Sequence, residues 1–293
     1  MEFILNELSL RGQFESEDDF CKYLQEEFVD ILEMMDENHF LLYKKQEMYE
    51  RLVTADKTLY DILSFCNIPA VTLVKAYIVQ LSFQEPYWDD EPCTKEDIVY
   101  DYPDKQEEPN CFTEAIEREI PMVSFEGSSG KEFLCHKNKY EVHIQNIVNK
   151  ADFFNVCLAC QELEIDYVLE NYPYERNVTL AKVKGKCYAK EALMGNGLTV
   201  KDLQMIVQSI PMLIKGLKQG EKNNYWDSFR EGVFEYRVSV SAGRIFRLFF
   251  FQKKGLVFLN GFVKKSQKTP QQEIEKAMGL MKLYKDSKTT LKT

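Results

Sequence analysis

The chain of 293 residues has 45% hydrophobic and 29% charged residues, a composition typical of a globular protein with one large domain or two ordinary ones. This composition excludes a disordered chain, a collagen and a small disulfide scaffold. Acidic residues stand where a signal peptide needs positive charge, and the most apolar stretch, 68–83, is interrupted by Lys75 and too short to cross a bilayer. We therefore expect a cytoplasmic protein with no membrane partner, whose eight cysteines are reduced.

The net charge of −10 conceals a division along the chain. Residues 1–180 contain 15 Lys and Arg against 38 Asp and Glu, a balance of −23, whereas residues 181–293 contain 22 against 9, a balance of +13. A basic segment is expected of a nucleic-acid binder, because Lys and Arg replace the counterions that condense on phosphates. On charge alone, a solvated surface that is basic by chance explains the balance equally well, and the acidic part either screens the basic surface or serves solubility.

The first part of the chain carries helical patterns. Apolar residues at spacings of three and four predict an amphipathic helix within 16–38, with Ser16 near its start, a second helix over 48–63 and a buried third over 68–83. Residues 85–108 contain ten acidic residues and three prolines, which is typical of a loop or a docking tail. We interpret the helices as core and infer no chemistry from them.

Short strands and a long helix follow. Alternation and then helical periodicity predict three strands and one helix, over 122–125, 132–135, 140–144 and 147–171. Pro173 and the first basic residues after it place a domain boundary near residue 175. We therefore expect an α+β protein with an acidic, mainly helical regulatory domain over 1–175 and a basic domain over 176–293.

The basic part begins with a β-rich piece over 178–189 and a helical pattern over 200–217. Thr199 and Asp202 have the spacing of a capping box at the start of this helix, and Pro211 should kink or split it. Three runs of β-branched and aromatic residues, VFEYRVSV, IFRLFFF and LVFLNGF, predict an antiparallel meander. A cationic loop follows, and a last helix begins near Pro270.

The sequence pattern of this region resembles the RelE/HigB superfamily of toxins from bacterial toxin–antitoxin pairs, notably its phage-derived branch. The pattern consists of EYRVSV, then FRLFFF, then LNGFVKKSQKTPQQEIEKA. The resemblance covers about residues 225–285, and its most specific part is the run GF-x-KK-x-x-x-TP-x-x-EI-x-x-A. It implies a small RelE-like domain, with an antiparallel sheet and flanking helices, that cleaves messenger RNA, usually on the ribosome. Such toxins are held inactive by a protein antitoxin. The rest of the chain is not covered.

The resemblance also implies roles for cationic residues. Arg237 and Arg247 match strand positions where the family has phosphate-contacting cations, and Lys264 and Lys265 lie in the loop that supplies a further cation. These four are the predicted catalytic residues. The predicted RNA-binding residues are Tyr236, Arg244 and Lys268.

Cleavage through the 2′-hydroxyl requires a proton acceptor for that hydroxyl, stabilisation of the charged phosphate and a proton donor for the leaving oxygen. The three histidines all lie in the first part of the chain, at positions 39, 136 and 143. Proton transfer would therefore fall to Glu235, Tyr236 or a lysine of lowered pKa. We expect no metal and no cofactor, so the predicted activity is that of a metal-independent endoribonuclease.

Two alternatives stay open. Arg237 and Glu235 can be surface strand partners beside lysines that merely solvate a loop, and the RelE-like sheet is then a non-catalytic module that binds nucleic acid or protein. Cys157 and Cys160 form a CxxC, but they lie in a helical pattern where two buried thiols are the ordinary explanation rather than zinc. The expected partners are messenger RNA, the ribosome and a separate antitoxin.

Overall fold

The computed structural model describes residues 1–81, 98–100, 111–125, 132–137, 140–220, 226–264 and 269–290. The chain divides into two compact units, Met1–Val156 and Cys157–Thr293. Both contain helices and sheets, which confirms the predicted α+β class. The first unit has 14 Lys and Arg against 33 Asp and Glu and the second has 23 against 14, so the division of charge follows the units. The division falls within a helix, 19 residues before the boundary predicted near 175.

The first unit is built on a six-stranded sheet with helices around it. Its elements are β1 (Glu2–Leu5), α1 (Glu17–Tyr23), α2 (Val29–Glu37), β2 (Leu41–Tyr43), α3 (Leu59–Phe65), α4 (Pro69–Leu81), β3 (Ile98–Tyr100), α5 (Cys111–Arg118), β4 (Met122–Val123), β5 (Glu132–Lys137), β6 (Tyr140–Ile147) and α6 (Lys150–Ala159). The strand order is β2-β1-β4-β6-β5-β3, in which the first four strands are parallel and the others pair antiparallel.

Several predictions for this unit hold with shifted bounds. Ser16 caps α1 by accepting a hydrogen bond from the backbone N–H of Asp19, and a π-helical turn at Leu24–Phe28 separates α1 from α2. The helix predicted over 147–171 is two helices, because Gln161 has a φ of 60° and ends α6. Three residues of the acidic stretch form β3 rather than a loop, and all the others lie outside the described residues.

Within the described ranges, no single helix is long and apolar enough to cross a membrane. One bent pair, Leu59–Phe65 with Pro69–Ile78, meets the length and hydropathy criteria jointly, with 116° between its two helices.

The second unit is a five-stranded sheet between helices. Its elements after α6 are α7 (Ile165–Asn171), β7 (Val178–Leu180), β8 (Lys182–Val183), β9 (Lys186–Cys187), α8 (Tyr188–Gly195), α9 (Val200–Gln219), β10 (Trp226–Ser228), β11 (Val233–Val240), β12 (Arg244–Gln252), β13 (Leu256–Val263) and α10 (Gln271–Thr290). Strands β11 to β13 form the predicted antiparallel meander. Strand β10 adds antiparallel to β11, and β7 adds in parallel to β13. Strands β8 and β9 form a separate hairpin.

Helix α9 shows how one local prediction holds and another fails. The capping box forms as predicted, with Thr199 and Asp202 bonding each other's backbone N–H groups. Pro211 does not split the helix, which runs on for eight residues beyond it. Pro211 lacks the N–H that would bond the carbonyl of Val207, and the Tyr174 hydroxyl donates to that carbonyl instead, at 3.1 Å. The carbonyl of Val207 therefore has a hydrogen-bond donor although Pro211 cannot supply one.

The two faces of this sheet have different neighbours. Val233, Phe249 and Phe251 pack with Ala277 and Tyr284 of α10 in one buried cluster. Since side chains alternate along a strand, the even-numbered residues of β11 face the other way, toward α9. On β11 and β12, the predicted site residues with odd numbers therefore face α10, and those with even numbers face α9.

Candidate functional site

Two predicted catalytic arginines lie side by side on the face of the sheet that α10 covers. Arg237 of β11 is the direct partner of Arg247 of β12, and Glu235 is the partner of Phe249. Like charges placed directly opposite each other on a sheet destabilise it, so an anion is needed between them. The carboxylate of Glu235 supplies it.

Glu235 accepts hydrogen bonds from both arginines. Its Oε2 accepts from Arg237 Nε at 2.7 Å, and its Oε1 accepts from Arg247 Nη1 at 2.6 Å. Thr269, just before α10, donates its hydroxyl to the same Oε1 at 2.7 Å and itself contacts Arg247 Nη1. We call these four residues, Glu235, Arg237, Arg247 and Thr269, the Glu235 cluster.

The two arginines differ in access. Glu235 is fully buried and Arg247 is 4% exposed, whereas 29% of the Arg237 side chain is exposed. Arg237 also donates to Asp227 of β10 at 3.0 Å. Burial works against the charge of Arg237, but the hydrogen bonds and charges of Glu235 and Asp227 outweigh it and raise the pKa of its guanidinium. Arg237 is therefore a permanent, rigidly held cation that a ligand can reach, and Arg247 supports it from inside.

The start of α10 adds to this site. Thr269 and Pro270 precede the helix, and Pro270 O accepts from the N–H of Glu273, so the positive end of the helix dipole lies beside the Glu235 cluster. Asn260 of β13 donates to the Glu273 carboxylate at 3.0 Å. Asn260 Oδ1 and Arg247 Nε are buried without a hydrogen-bond partner in the part of the chain that the structure describes, which is unusual in a folded protein.

Lys264 lies on the same face, at the end of β13. Its backbone N–H donates to the carbonyl of Ile245 at 2.8 Å, which continues the register in which Phe262 opposes Arg247. By alternation, the half-buried Lys264 therefore belongs to the same side of the sheet as Arg247. Lys265 and Lys268, also predicted as site residues, lie outside the described residues.

Tyr236, predicted to bind RNA, does not join this site. It lies on the opposite face, is fully buried, and its hydroxyl is hydrogen-bonded to Ser209 of α9. A ring enclosed in this way has no face on which a base can stack, so the expected role of Tyr236 is corrected to one in the core.

Arg244 is on the opposite face too. Its guanidinium donates to Asp202 Oδ2 at 3.2 Å, to the carbonyl of Gly197 at 3.1 Å and to the carbonyl of Ser241 at 3.2 Å. Burial works against the charge of Asp202, but hydrogen bonds from Thr199 and Ser241 prevail and lower its pKa to about 2. Arg244 thus connects the start of α9 to the β11–β12 turn. Because Arg244 and Arg237 lie on opposite faces of the sheet, the structure does not support the expectation that they share one RNA-binding surface.

Sequence reasoning missed several members of the site. Thr269 belongs to the TP pair of the resemblance, which assigns it no role, and Asp227, Asn260 and Glu273 carry no motif that indicates a function. Each becomes visible through pairing or contact: Asp227 opposes Glu235 on β11, and Asn260 opposes Phe249. Contacts of this kind cannot be predicted from the local sequence.

This arrangement suits charge stabilisation better than proton transfer. A guanidinium held by two carboxylates is positioned to bind a phosphate, and a fixed cation beside a helix N-terminus stabilises developing negative charge. Glu235 is fully buried, and both of its oxygens accept hydrogen bonds from Arg237, Arg247 and Thr269, so its carboxylate positions these groups. Among the described residues, no group of three or more His, Cys, Asp or Glu side chains is placed to hold a metal ion.

Comparison with known proteins gives one match. Residues 199–282 match the sequence model of the family described as phage derived protein Gp49-like (DUF891). This phage-derived family is related to the RelE/HigB-like toxins of toxin–antitoxin systems. The matched segment contains α9, strands β10 to β13 and the whole Glu235 cluster, so the resemblance inferred from the sequence is supported at this location. No curated protein and no solved structure matches the chain.

Proposed function

We propose that this protein is an endoribonuclease of RelE/HigB type that cleaves messenger RNA, with its site at the Glu235 cluster. The observation that carries the proposal is the pairing of Arg237 with Arg247 across one buried carboxylate, within the segment that matches the Gp49-like family. Arg237 contacts the scissile phosphate, because it is the more accessible of the two arginines. Glu235, Arg247 and Thr269 are positioning residues that hold Arg237 in place.

In this mechanism the chain acts mainly by electrostatics, while water takes the proton of the attacking 2′-hydroxyl and another water protonates the departing 5′-oxygen. Arg237 and the N-terminus of α10 stabilise the additional negative charge of the pentavalent phosphate, and Lys264 supplies a further cation on the same face. The phosphate competes with Asp227 for Arg237, since this ion pair is partly exposed to solvent and contributes little to stability. The buried bond to Glu235 stays in place.

We propose three partners for this activity: messenger RNA as substrate, the ribosome as the place of cleavage, and a separate antitoxin protein. The acidic part of the chain, 1–175, is proposed to regulate the basic part, because the two carry opposite net charge. Neutralising the ten acidic residues of 85–108 should then increase the rate of RNA cleavage, and an unchanged rate would exclude this segment as the source of the regulation.

The central test compares wild type with Arg237→Gln, which removes the accessible cation and leaves the buried pair of Glu235 and Arg247 intact. The variants are expressed in bacterial cells and messenger RNA integrity is followed. Purified proteins are then incubated with a defined messenger RNA, with and without translating ribosomes. We expect Arg237→Gln to cleave about 100-fold more slowly, the usual loss when one charge-stabilising donor is removed.

Arg176→Gln is the matched control, because Arg176 is an arginine of the same unit that bonds Gln252 and lies outside the Glu235 cluster. Circular dichroism establishes that both variants fold like wild type. Equal cleavage by wild type and Arg237→Gln would refute the proposed site.

A second candidate function is RNA binding without cleavage. It is favoured by one observation: residues 157–293 contain no histidine that can move a proton. Wild-type protein that binds RNA with a steep salt dependence, yet leaves it intact even on programmed ribosomes, would select this function.

A further inference from the structure

The β8–β9 hairpin places lysines beside the first turns of α10. The hairpin has the sequence KVKGKC over 182–187, and Lys182, Lys184 and Lys186 are exposed. We propose that these three lysines and Lys276 of α10, together called the hairpin lysines, form a second surface that contacts the phosphates of bound RNA. This inference rests on the proposed function and extends it beyond the Glu235 cluster.

The hairpin is a defined structural element. Val183 pairs with Lys186 across a two-residue turn, in which Lys184 has a φ of 51° and Gly185 a φ of 79°. Two left-handed residues at this position are typical of the type I′ turn that matches the twist of a hairpin. A Cβ on Gly185 would meet nothing within 4 Å, so the turn is open to its surroundings. The lysines are therefore presented on an ordered backbone.

The apolar side of the hairpin is anchored to α10. Ala181 and Val183 are 1% and 6% exposed and pack in the same buried cluster as Ala277, Leu280 and Met281. Since side chains alternate along the strand, burial of Val183 directs Lys182 and Lys184 away from the core. The backbone of the hairpin is thus packed against α10, and the lysines of both elements lie on neighbouring surfaces.

Tyr188 brings two of the hairpin lysines together. The Nζ atoms of Lys186 and Lys276 lie 5.0 Å and 5.4 Å from the centroid of its ring. Lys186 also pairs with Glu191 at 3.2 Å, but both side chains are about half exposed, and such pairs contribute little. No ion-pair partner of Lys182, Lys184 or Lys276 occurs among the residues that the structure describes. Two ammonium groups over one ring make this surface attractive to an anion.

The position of the hairpin lysines connects them with the Glu235 cluster. Lys276 follows Glu273 by three residues on α10, a rise of about 4.5 Å along the helix axis. Glu273 is bonded to Asn260, and Thr269 at the start of the same helix is bonded to Glu235. A strand of RNA held at Arg237 can therefore continue past the first turn of α10 to the hairpin.

An extended polyanion fits this surface better than a single small anion. The four ammonium groups are spread over a hairpin and a helix, and all four lysines are exposed rather than enclosed around one point. The hairpin also lies outside the matched segment, 199–282, so three of the four lysines belong to a part of the chain that the family match does not cover.

The test measures RNA binding by the full chain. A fluorescein-labelled single-stranded RNA of about 20 nucleotides is titrated at several potassium chloride concentrations, and log Kd is plotted against log salt. The test variant is Lys184→Gln, Lys186→Gln, Lys276→Gln. The control carries Lys201→Gln, Lys253→Gln, Lys254→Gln, which removes the same charge at exposed positions of α9 and the β12–β13 turn.

Three lost phosphate contacts should reduce the steepness of the salt dependence by about 2, because each contact to a single strand contributes about 0.7. The control should keep the wild-type slope, and thermal melting should show all three proteins folded. An unchanged slope in the test variant, or an equal loss in the control, would overturn the inference. So would displacement of the RNA by a few millimolar inorganic phosphate, which would indicate a single small-anion site.

The design separates this inference from the proposed function. Wild-type protein that binds no RNA would overturn the proposed function as well. Arg237→Gln should lose cleavage while keeping most of the salt slope, whereas the hairpin variant should lose slope and affinity first. Wild-type cleavage with an unaffected slope in the hairpin variant would leave the Glu235 cluster standing and remove the second surface alone.

Discussion

Replacement of Glu235 by glutamine tests whether one buried carboxylate holds the site together. Its Oε2 accepts from Arg237 at 2.7 Å, and its Oε1 accepts from Arg247 at 2.6 Å and from Thr269 at 2.7 Å. A glutamine has the same shape but only one oxygen, so its NH₂ group must face one of the guanidinium groups, donor against donor. Removing one partner of a buried ion pair costs about 3–5 kcal/mol. We expect Glu235→Gln to lower the free energy of unfolding by about 3 kcal/mol, since one arginine keeps its acceptor.

The assay is urea unfolding followed by the fluorescence of Trp226, which lies opposite Tyr236 on the strand next to Glu235. Trp88, the other tryptophan, is replaced by phenylalanine in every variant so that a single residue reports. Glu275→Gln, an exposed carboxylate of α10 that bonds Gln271, is the control and should stay within about 0.5 kcal/mol of its parent.

A double variant sharpens the result. Glu235→Leu with Arg247→Met removes the buried pair and fills its place with apolar groups, so it should be less destabilised than Glu235→Gln, because no buried charge is left without a partner. A Glu235→Gln variant as stable as its parent, or a double variant much less stable than Glu235→Gln, would refute the view that desolvated charge dominates this site.

Three further predictions concern stability and thiol chemistry. Folding lowers the pKa of Asp202 from 3.8 to about 2, which corresponds to a stabilising contribution of about 2 kcal/mol. This contribution is complete above about pH 4 and is lost as the pH falls towards 2. The difference in the free energy of unfolding between wild type and Asp202→Asn should therefore close over that range. Gly255→Ala should destabilise by about 1–3 kcal/mol in urea, because its new Cβ would overlap the carbonyl oxygen of Asn177; wild-type stability would contradict that packing. The Sγ atoms of Cys21 and Cys66 lie 3.8 Å apart, so hydrogen peroxide should convert the two thiols into a disulfide. Mass spectrometry should show the loss of two hydrogen atoms, and Cys66→Ser should abolish this mass change.

Local patterns in the sequence were sufficient for several elements. The capping box of Thr199 and Asp202 depends on a spacing of three residues, and it forms as predicted. The meander of β11 to β13 follows from three β-rich runs with short turns, so each strand pairs with the next one along the chain. The cationic residues of the site were also visible, because charge is a property of the residue itself.

Local sequence patterns did not predict the features that depend on contacts between residues distant in the sequence. Strands β1 and β2 have four and three residues and no alternation of polar and apolar side chains. The sequence therefore does not distinguish them from a loop or a helix end. Pro211 was expected to split α9, and the helix continues because Tyr174, 37 residues earlier, bonds the carbonyl that the proline leaves free. Such compensation comes from a distant residue.

For the candidate site, residue types and spacing by themselves determined that this end of the chain is basic, that it forms a meander, and that Arg237 and Arg247 stand on neighbouring strands. The tertiary structure alone decided that these two arginines share a face, that Arg244 and Tyr236 lie on the other, and that Glu235 neutralises the pair. The physical reason is strand register: a shift of one residue exchanges every side chain between the two faces, and register depends on turns and packing that no short window of sequence contains.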